Sequence, residues 1–292
     1  MGLVSFEIVT DSSANLPNDI VNQYKLHILS LVYRFGDVEY ESYVKGAEND
    51  LKDFYARLRN KEVAVTACVS PGVCRNVSEE LLKQGKDILY IGFSSALSAT
   101  YETCCHVLEE LKTEYPAQKI YSVDSLAASL GEGLLVTYAA RLRQEGKSIE
   151  EVYNWLMDNR LNLCHWFTVD DLMFLKRGGR IPASTAIVGT MLSIKPVMHV
   201  DNEGRLVPIY KVRGRKSSLI ALVEQMEKRA IDPKTQTIYI SHADCLDDAN
   251  FVADKIRERW GIEDILIDYV EPVIGAHCGP GTVALFFLGS ER

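Results

Sequence analysis

Short apolar strands alternate with amphipathic helices through the first half of this chain, and that rhythm constrains its fold more than any other feature. Consecutive parallel strands need long crossover connections, and helical crossovers cover the faces of the sheet they join. Strands are expected at Val4–Val9, His27–Phe35, Val63–Thr66, Asp87–Phe93 and Lys119–Val123. Helices are expected after Pro17, over Asp50–Asn60, from Ser70 to about Gln84, over Ala99–Lys112 and from about Ala127 to Gln144. Pro17 and Pro71 suit first helical turns, where a missing N–H costs nothing, and Ser70 suits a side-chain cap.

The rhythm changes near Asn162. Leu163–Val169 reads as a strand, and Gly178-Gly179-Arg180-Ile181-Pro182 as a turn. Ile194–Val200 and Arg205–Lys211 flank Asp201-Asn202-Glu203-Gly204, which has the chemistry of a hairpin turn. Helices at Lys216–Lys228 and Asp247–Trp260 alternate with strands at Thr237–Ser241, Ile265–Tyr269 and Thr282–Leu288. The expected architecture is α/β with two domains. Residues 1–165 form an N-terminal three-layer α/β/α domain with a parallel sheet. Residues 166–292 form a C-terminal two-layer α/β domain with a mixed sheet.

Several functional classes fall away. The net charge is −8, so no global basic footprint for nucleic acid exists. The seven cysteines have irregular spacing and no C-x-x-C pair, which fits reduced, mostly buried thiols rather than a zinc site or disulfide framework. The first residues carry Glu7 and no long apolar stretch, so a signal peptide is not expected, and no apolar run is long enough to span a bilayer. A cytoplasmic location follows as an expectation. Arg213-Gly214-Arg215-Lys216-Ser217-Ser218 lacks the upstream glycine of a phosphate-binding loop, and no G-x-G-x-x-G follows the first strand.

In a parallel sheet, ligands sit beyond the carboxyl ends of the strands. The loops expected there, Thr10–Ser13, Thr66–Ser70, Ser94–Ser98 and Asp124-Ser125, are rich in small hydroxyl residues. Hydroxyls and helix-end N–H groups together suit a carboxylate or oxyanion. Taken singly, each is equally a cap or turn residue. His277 lies in Gly275-Ala276-His277-Cys278-Gly279-Pro280-Gly281, a Gly/Pro-rich turn that lets backbone approach a ligand. Its alternative role is simply to bond backbone. Arg180, Lys195, Lys211, Arg213, Arg215 and Lys216 make a local basic cluster, which reads either as a site for an anionic ligand or partner or as a solvated face. Ser95-Ala96-Leu97-Ser98-Ala99 is similar to a nucleophile elbow with both outer glycines replaced. It supports a rival reading, a serine hydrolase of acyl esters using Ser98 and His277.

Taken in order along the chain, a set of motifs resembles the DegV family of bacterial fatty-acid-binding proteins that serve a fatty acid kinase. They are residues 10–17 (TDSSANLP), 66–72 (TACVSPG), 94–101 (SSALSATY), Asp124-Ser125, 131–135, 175–181, Lys195-Pro196, 212–216 and 275–281. The resemblance implies a fatty acid in an apolar tunnel, its carboxylate held where two α/β domains meet. Thr66, Ser98 and His277 match the carboxylate-binding positions, with Ser95 beside them. Arg180 matches the family's G-G-R arginine, with a head-group or kinase-docking role, and Arg213 and Arg215 are docking candidates. The implied protein is a non-catalytic carrier with no cofactor or metal of its own. Its ligand is a long-chain fatty acid, and its partner is a separate kinase subunit that supplies ATP and Mg²⁺ and forms acyl phosphate for phospholipid synthesis. Transient contact with a membrane surface is also implied. The chain departs from the family's usual T-S-Q-P-S at Thr66-Ala67-Cys68-Val69-Ser70, and has Ala96 and Ala99 where glycines usually stand.

Overall fold

A computed structural model describes residues 6–47, 49–182, 184 and 193–292. Strand β1 (Phe6–Asp11) leads through a 3₁₀ turn to α1 (Asn18–Tyr24) and β2 (His27–Leu29). Val4 and Ser5, expected to begin β1, lie outside the described residues. Three short elements follow, β3 (Val32–Phe35), β4 (Val38–Glu41) and α2 (Leu51–Arg59), and then β5 (Ala64–Ala67). The N-terminal unit continues with α3 (Pro71–Lys83), β6 (Asp87–Gly92), α4 (Thr100–Glu114), β7 (Ile120–Asp124), α5 (Leu130–Gln144) and α6 (Ile149–Asn159).

The central N-terminal sheet is parallel throughout, in the order β2-β1-β6-β7. Side-chain alternation along its strands separates its two helical layers. Tyr90 stacks on Tyr101 of α4, whereas Tyr121, on the opposite face, packs against Tyr153 of α6. Helices α3 and α4 therefore cover one face, and α5 and α6 the other.

One expected strand is in fact two. His27–Phe35 breaks at Ser30-Leu31, because the Leu31 amide donates to the Ser12 hydroxyl at 3.0 Å and the Tyr43 amide to that of Ser30 at 3.0 Å. Beyond the break, β3 leaves the parallel sheet and forms a separate antiparallel sheet, β4-β3-β5. Thr66 accordingly lies on an antiparallel strand opposite Tyr33, not at the end of a parallel one.

The C-terminal sheet holds β8 (Leu163–Thr168), β9 (Ile194–Val200), β10 (Leu206–Arg213), β11 (Ile238–His242), β12 (Ile265–Tyr269) and β13 (Val283–Leu288). Its order is β10-β9-β8-β13-β11-β12, antiparallel except for β11 with β12. All of β8 belongs to this sheet, from Leu163 opposite Leu288 to Thr168 opposite Val283. Ile238, Ile240, Leu285 and Phe287 face α8 (Arg215–Arg229) and α9 (Leu246–Trp260) in one core. On the other face Tyr239 donates to Thr137 of α5 at 2.9 Å, so α5 is sandwiched between the two sheets. Among the described residues no helix is long and apolar enough to cross a membrane.

Candidate functional site

Two short helices that the periodicity did not reveal carry the centre of the site. The first, α7 (Leu172–Arg177), is capped by the Asp171 carboxylate, which accepts from the Met173 amide at 2.8 Å, and stops at Gly178. The second, α10 (Pro272–Cys278), starts with Pro272 in its first turn. The Glu271 carboxylate caps it, accepting from the amides of Val273 at 2.8 Å and Ile274 at 2.6 Å. His277 thus sits in the last turn of a helix rather than in a Gly/Pro turn.

Its imidazole packs directly on α7's end. A Cβ added at Gly178 would stand 2.2 Å from His277 Nδ1, so only glycine admits the ring there. His277 Nε2 lies 2.8 Å from Thr66 Oγ1. Arg180 closes the cluster by donating from Nε to the Leu97 carbonyl at 3.1 Å and from its Nη1 to the Gly178 carbonyl. Leu97 precedes Ser98, whose hydroxyl lies 2.9 Å from Thr100 Oγ1 and accepts from the Thr100 amide at 3.2 Å at the start of α4. Four elements distant in sequence therefore bring Thr66, Ser98, Arg180 and His277 together.

All four line a cavity of about 260 Å³, whose walls are otherwise largely apolar, with Phe93, Leu97, Phe167, Leu175 and Val273 among them. Ala67 and Ala99 also line it and are exposed, so the cavity opens beside Thr66 and Ser98. Ser129, His165, Ser241 and Ala284 line it too but are buried. The cavity runs from this polar mouth to the face of the C-terminal sheet that carries Phe167, Ser241 and Ala284.

Electrostatics at the mouth favour an anion. Burial and the adjacent Arg180 and Arg177 charges lower the His277 pKa to about 4, so its ring is neutral near pH 7. Burial lowers that of Arg180 as well, the response of a cation without a full counter-charge. A carboxylate would accept from the guanidinium and the hydroxyls and offset the cost of burying Arg180.

The hydrolase pairing is not formed. His277 Nε2 engages Thr66, while Ser98 engages Thr100. An imidazole with a pKa near 4 is also a weak base at neutral pH.

The remaining expected residues lie elsewhere. Ser95 does not line the cavity; its amide donates to Asp124 Oδ1 at 3.2 Å, which holds the loop. Neighbouring Ser94 donates to the Gly204 carbonyl at 2.9 Å and ties that loop to the β9–β10 turn. Arg213 is exposed on edge strand β10. Arg215 is committed internally. It donates to Asp248 Oδ2 and to the Gly281 carbonyl, at 2.8 and 2.6 Å, pinning α8 to α9 and to the entry of β13. Among the described residues no cluster of three or more His, Cys, Asp or Glu could hold a metal ion.

Sequence reasoning missed Leu31, Phe167, Ala284 and the other wall residues, because apolar cavity positions look like core. It also missed Gly178 as the seat of His277, although the Gly178-Gly179 pair was visible.

Comparison with known proteins places this arrangement in a family. The family described as "Uncharacterised protein, DegV family" matches residues 5–290. A DegV domain-containing protein of Clostridium perfringens is 46% identical over 289 residues, covering 98% of each chain. Another from Lactococcus lactis is 35% identical and covers 99% of each. Among solved structures, a DegV lipid-binding protein from Thermotoga maritima superposes with a TM-score of 0.85 at 26% identity, covering 99% of both chains. A DegV family protein from Thermus thermophilus, described for its fatty acid binding, also reaches 0.85 at 26% identity, over 98% of this chain and 99% of that one. The fatty-acid-binding DegV of Bacillus subtilis gives 0.83 at 26% identity, covering 98% of this chain and all of that one. The chain described here belongs to the DegV family.

Proposed function

We propose that this protein binds a long-chain fatty acid in this cavity and presents the carboxylate at the mouth to a separate ATP-dependent kinase subunit. The observation that carries this reading is the convergence of Thr66, Ser98, Arg180 and His277 at the open end of a largely apolar cavity. Similarity to DegV proteins that bind fatty acids supports the choice of ligand. Each buried methylene contributes about 0.8 kcal/mol, so a chain of about fourteen gains on the order of 11 kcal/mol before ordering costs. A buried tail and an exposed head suit a carrier, since only the reactive group needs to reach a second protein.

In the proposed transfer, a carboxylate oxygen attacks the γ-phosphorus of ATP held with Mg²⁺ on the kinase. ADP leaves, and the acyl phosphate stays on the carrier for phospholipid synthesis. This chain positions the oxygen and keeps the tail out of water. Its neutral His277 holds the Thr66 hydroxyl at the mouth and takes no proton in this step.

The test is to load the protein with a radiolabelled fatty acid, then add ATP, Mg²⁺ and a purified fatty acid kinase ATP-binding subunit. Acyl phosphate formed only with the carrier present is the expected result. Binding without phosphorylation would confine the role to lipid transport, and failure to bind would refute the whole reading.

A further inference from the structure

The contact between Thr66 and His277 joins two elements that are far apart in sequence. Thr66 lies on β5 of the small antiparallel sheet, and His277 in the last turn of α10. How closely they approach depends on how that sheet and that helix are held together.

At the other end of α10 a single side chain holds both. Glu271 Oε1 accepts from the Ile274 amide at 2.6 Å, and Oε2 from the Val273 amide at 2.8 Å. The same Oε2 accepts from the hydroxyl of Ser42, which directly follows β4 of the small sheet. One oxygen therefore serves the helix and the sheet. The Glu271 amide donates to Asn15 Oδ1 at 2.8 Å, which fixes the start of α10 from a third side. Glu271 is buried outside the fatty-acid cavity, and lines a second cavity of about 470 Å³ with Asn15 and Ser42. Its carboxyl group loses solvation there, and serine would cap a helix at less cost. The link to Ser42 is what a plain cap would not supply. Further along, an added Cβ at Gly275 would stand 2.6 Å from Tyr55 Oη, so α10 lies directly on α2. His277 follows roughly 9 Å along the axis from Glu271, at about 1.5 Å per residue. A helix this short carries a displacement at Glu271 to His277 as a rigid piece.

We propose that Glu271 is a positioning residue for the head-group site: by joining Ser42 to the start of α10, it sets the small sheet and the helix so that His277 meets Thr66. The consequence for binding rests on the fatty-acid reading above, whereas the geometry at His277 can be read without ligand.

The test pairs two measurements, histidine ¹⁵N NMR titration of the lipid-free protein and displacement of a fluorescent fatty acid. His277 is assigned by the signal lost in His277→Gln. In the wild-type protein its imidazole should titrate at about 4, held down by burial and by Arg180 and Arg177. In Glu271→Ala the ring gains solvent, so its pKa should rise toward 6.5 and fatty-acid affinity should fall at least tenfold. Ser42→Ala keeps the cap and cuts the link, and should move both readouts the same way. Glu271→Gln can still accept from α10 and donate to Ser42, and should restore most of both. Arg292→Ala is the control for lost stability, since its partners lie away from the cavity, and its His277 titration should match wild type. A folded Glu271→Ala protein with the wild-type titration overturns the proposal, and so does an equal change in Arg292→Ala. If Glu271→Ala does not fold, an unchanged titration in Ser42→Ala overturns it. If the titration moves as expected but the wild-type protein binds no fatty acid, the positioning stands and the fatty-acid reading falls.

Discussion

Replacing Gly178 by alanine separates binding from stability at this site. Gly178 has φ −72° and ψ −10°, a conformation alanine adopts without strain. The backbone change alone should stabilise the chain slightly, by about 0.4–1 kcal/mol, through the unfolded state. The new Cβ, however, would stand 2.2 Å from His277 Nδ1, where ordinary contacts begin at 3.4 Å. The imidazole must withdraw by 3.4 − 2.2 = 1.2 Å or rotate, which breaks its 2.8 Å contact with Thr66 and disturbs the proposed carboxylate site. A hydrogen bond to a charged group is worth about 1.5–3 kcal/mol, so fatty-acid affinity should fall roughly 10- to 150-fold. Gly179→Ala is the matched control. No atom lies within 4 Å of its added Cβ, but φ is +73°. It should cost about 1–2 kcal/mol of stability and leave affinity unchanged. Displacement of a fluorescent fatty acid reads binding, and urea unfolding of the lipid-free protein reads stability. Wild-type affinity in Gly178→Ala would refute the placement of His277 at the head group.

Further perturbations test other parts of the structure. Burial raises the Glu271 pKa to about 7 from an ordinary 4.5, so its contribution to stability is full below pH 4.5 and lost as pH rises through about 7. The difference amounts to about 3 kcal/mol, and Glu271→Gln should flatten urea-derived stability between pH 5 and 8; an unchanged slope would exclude Glu271 as its source. Arg292 donates to the carbonyls of Leu163, Leu126, Asp201 and Arg160, so Arg292→Ala should lower stability by about 2–4 kcal/mol, read as a fall in Tm. Ala284→Phe would fill the cavity floor, and lipid analysis of the purified variant should show shorter acyl chains or none, with circular dichroism unchanged.

Much of the fold was legible because strong periodicity marks long elements. Helix α3 opens where Ser70 and Pro71 predict, with the Val73 amide bonded to the Ser70 hydroxyl. The β9–β10 hairpin turns at Asp201–Gly204, as its residues imply. Helix α5 starts later than expected because Leu126 and Ser129 take positive φ, and nothing in apolar spacing encodes that. The short helices α7 and α10 escaped because seven residues or fewer carry little periodicity. Their caps, Asp171 and the Glu271-Pro272 pair, were the signals available. At the site, Thr66, Ser98, Arg180 and His277 were legible as small polar or cationic residues in recurring motifs. Their convergence was not, because it depends on β3 leaving the parallel sheet at Leu31 to pair with β5. The partners of Arg215, Asp248 and the Gly281 carbonyl, lie 33 and 66 residues away and were not legible in the sequence.

The most direct test of the central claim is native mass spectrometry of freshly purified protein beside a denatured aliquot. The account predicts a stoichiometric mass excess that disappears on denaturation and matches a long-chain fatty acid, with much less retained when Thr66 and Ser98 are both replaced by alanine. Equal native and denatured masses, together with no uptake of added fatty acid, would contradict it.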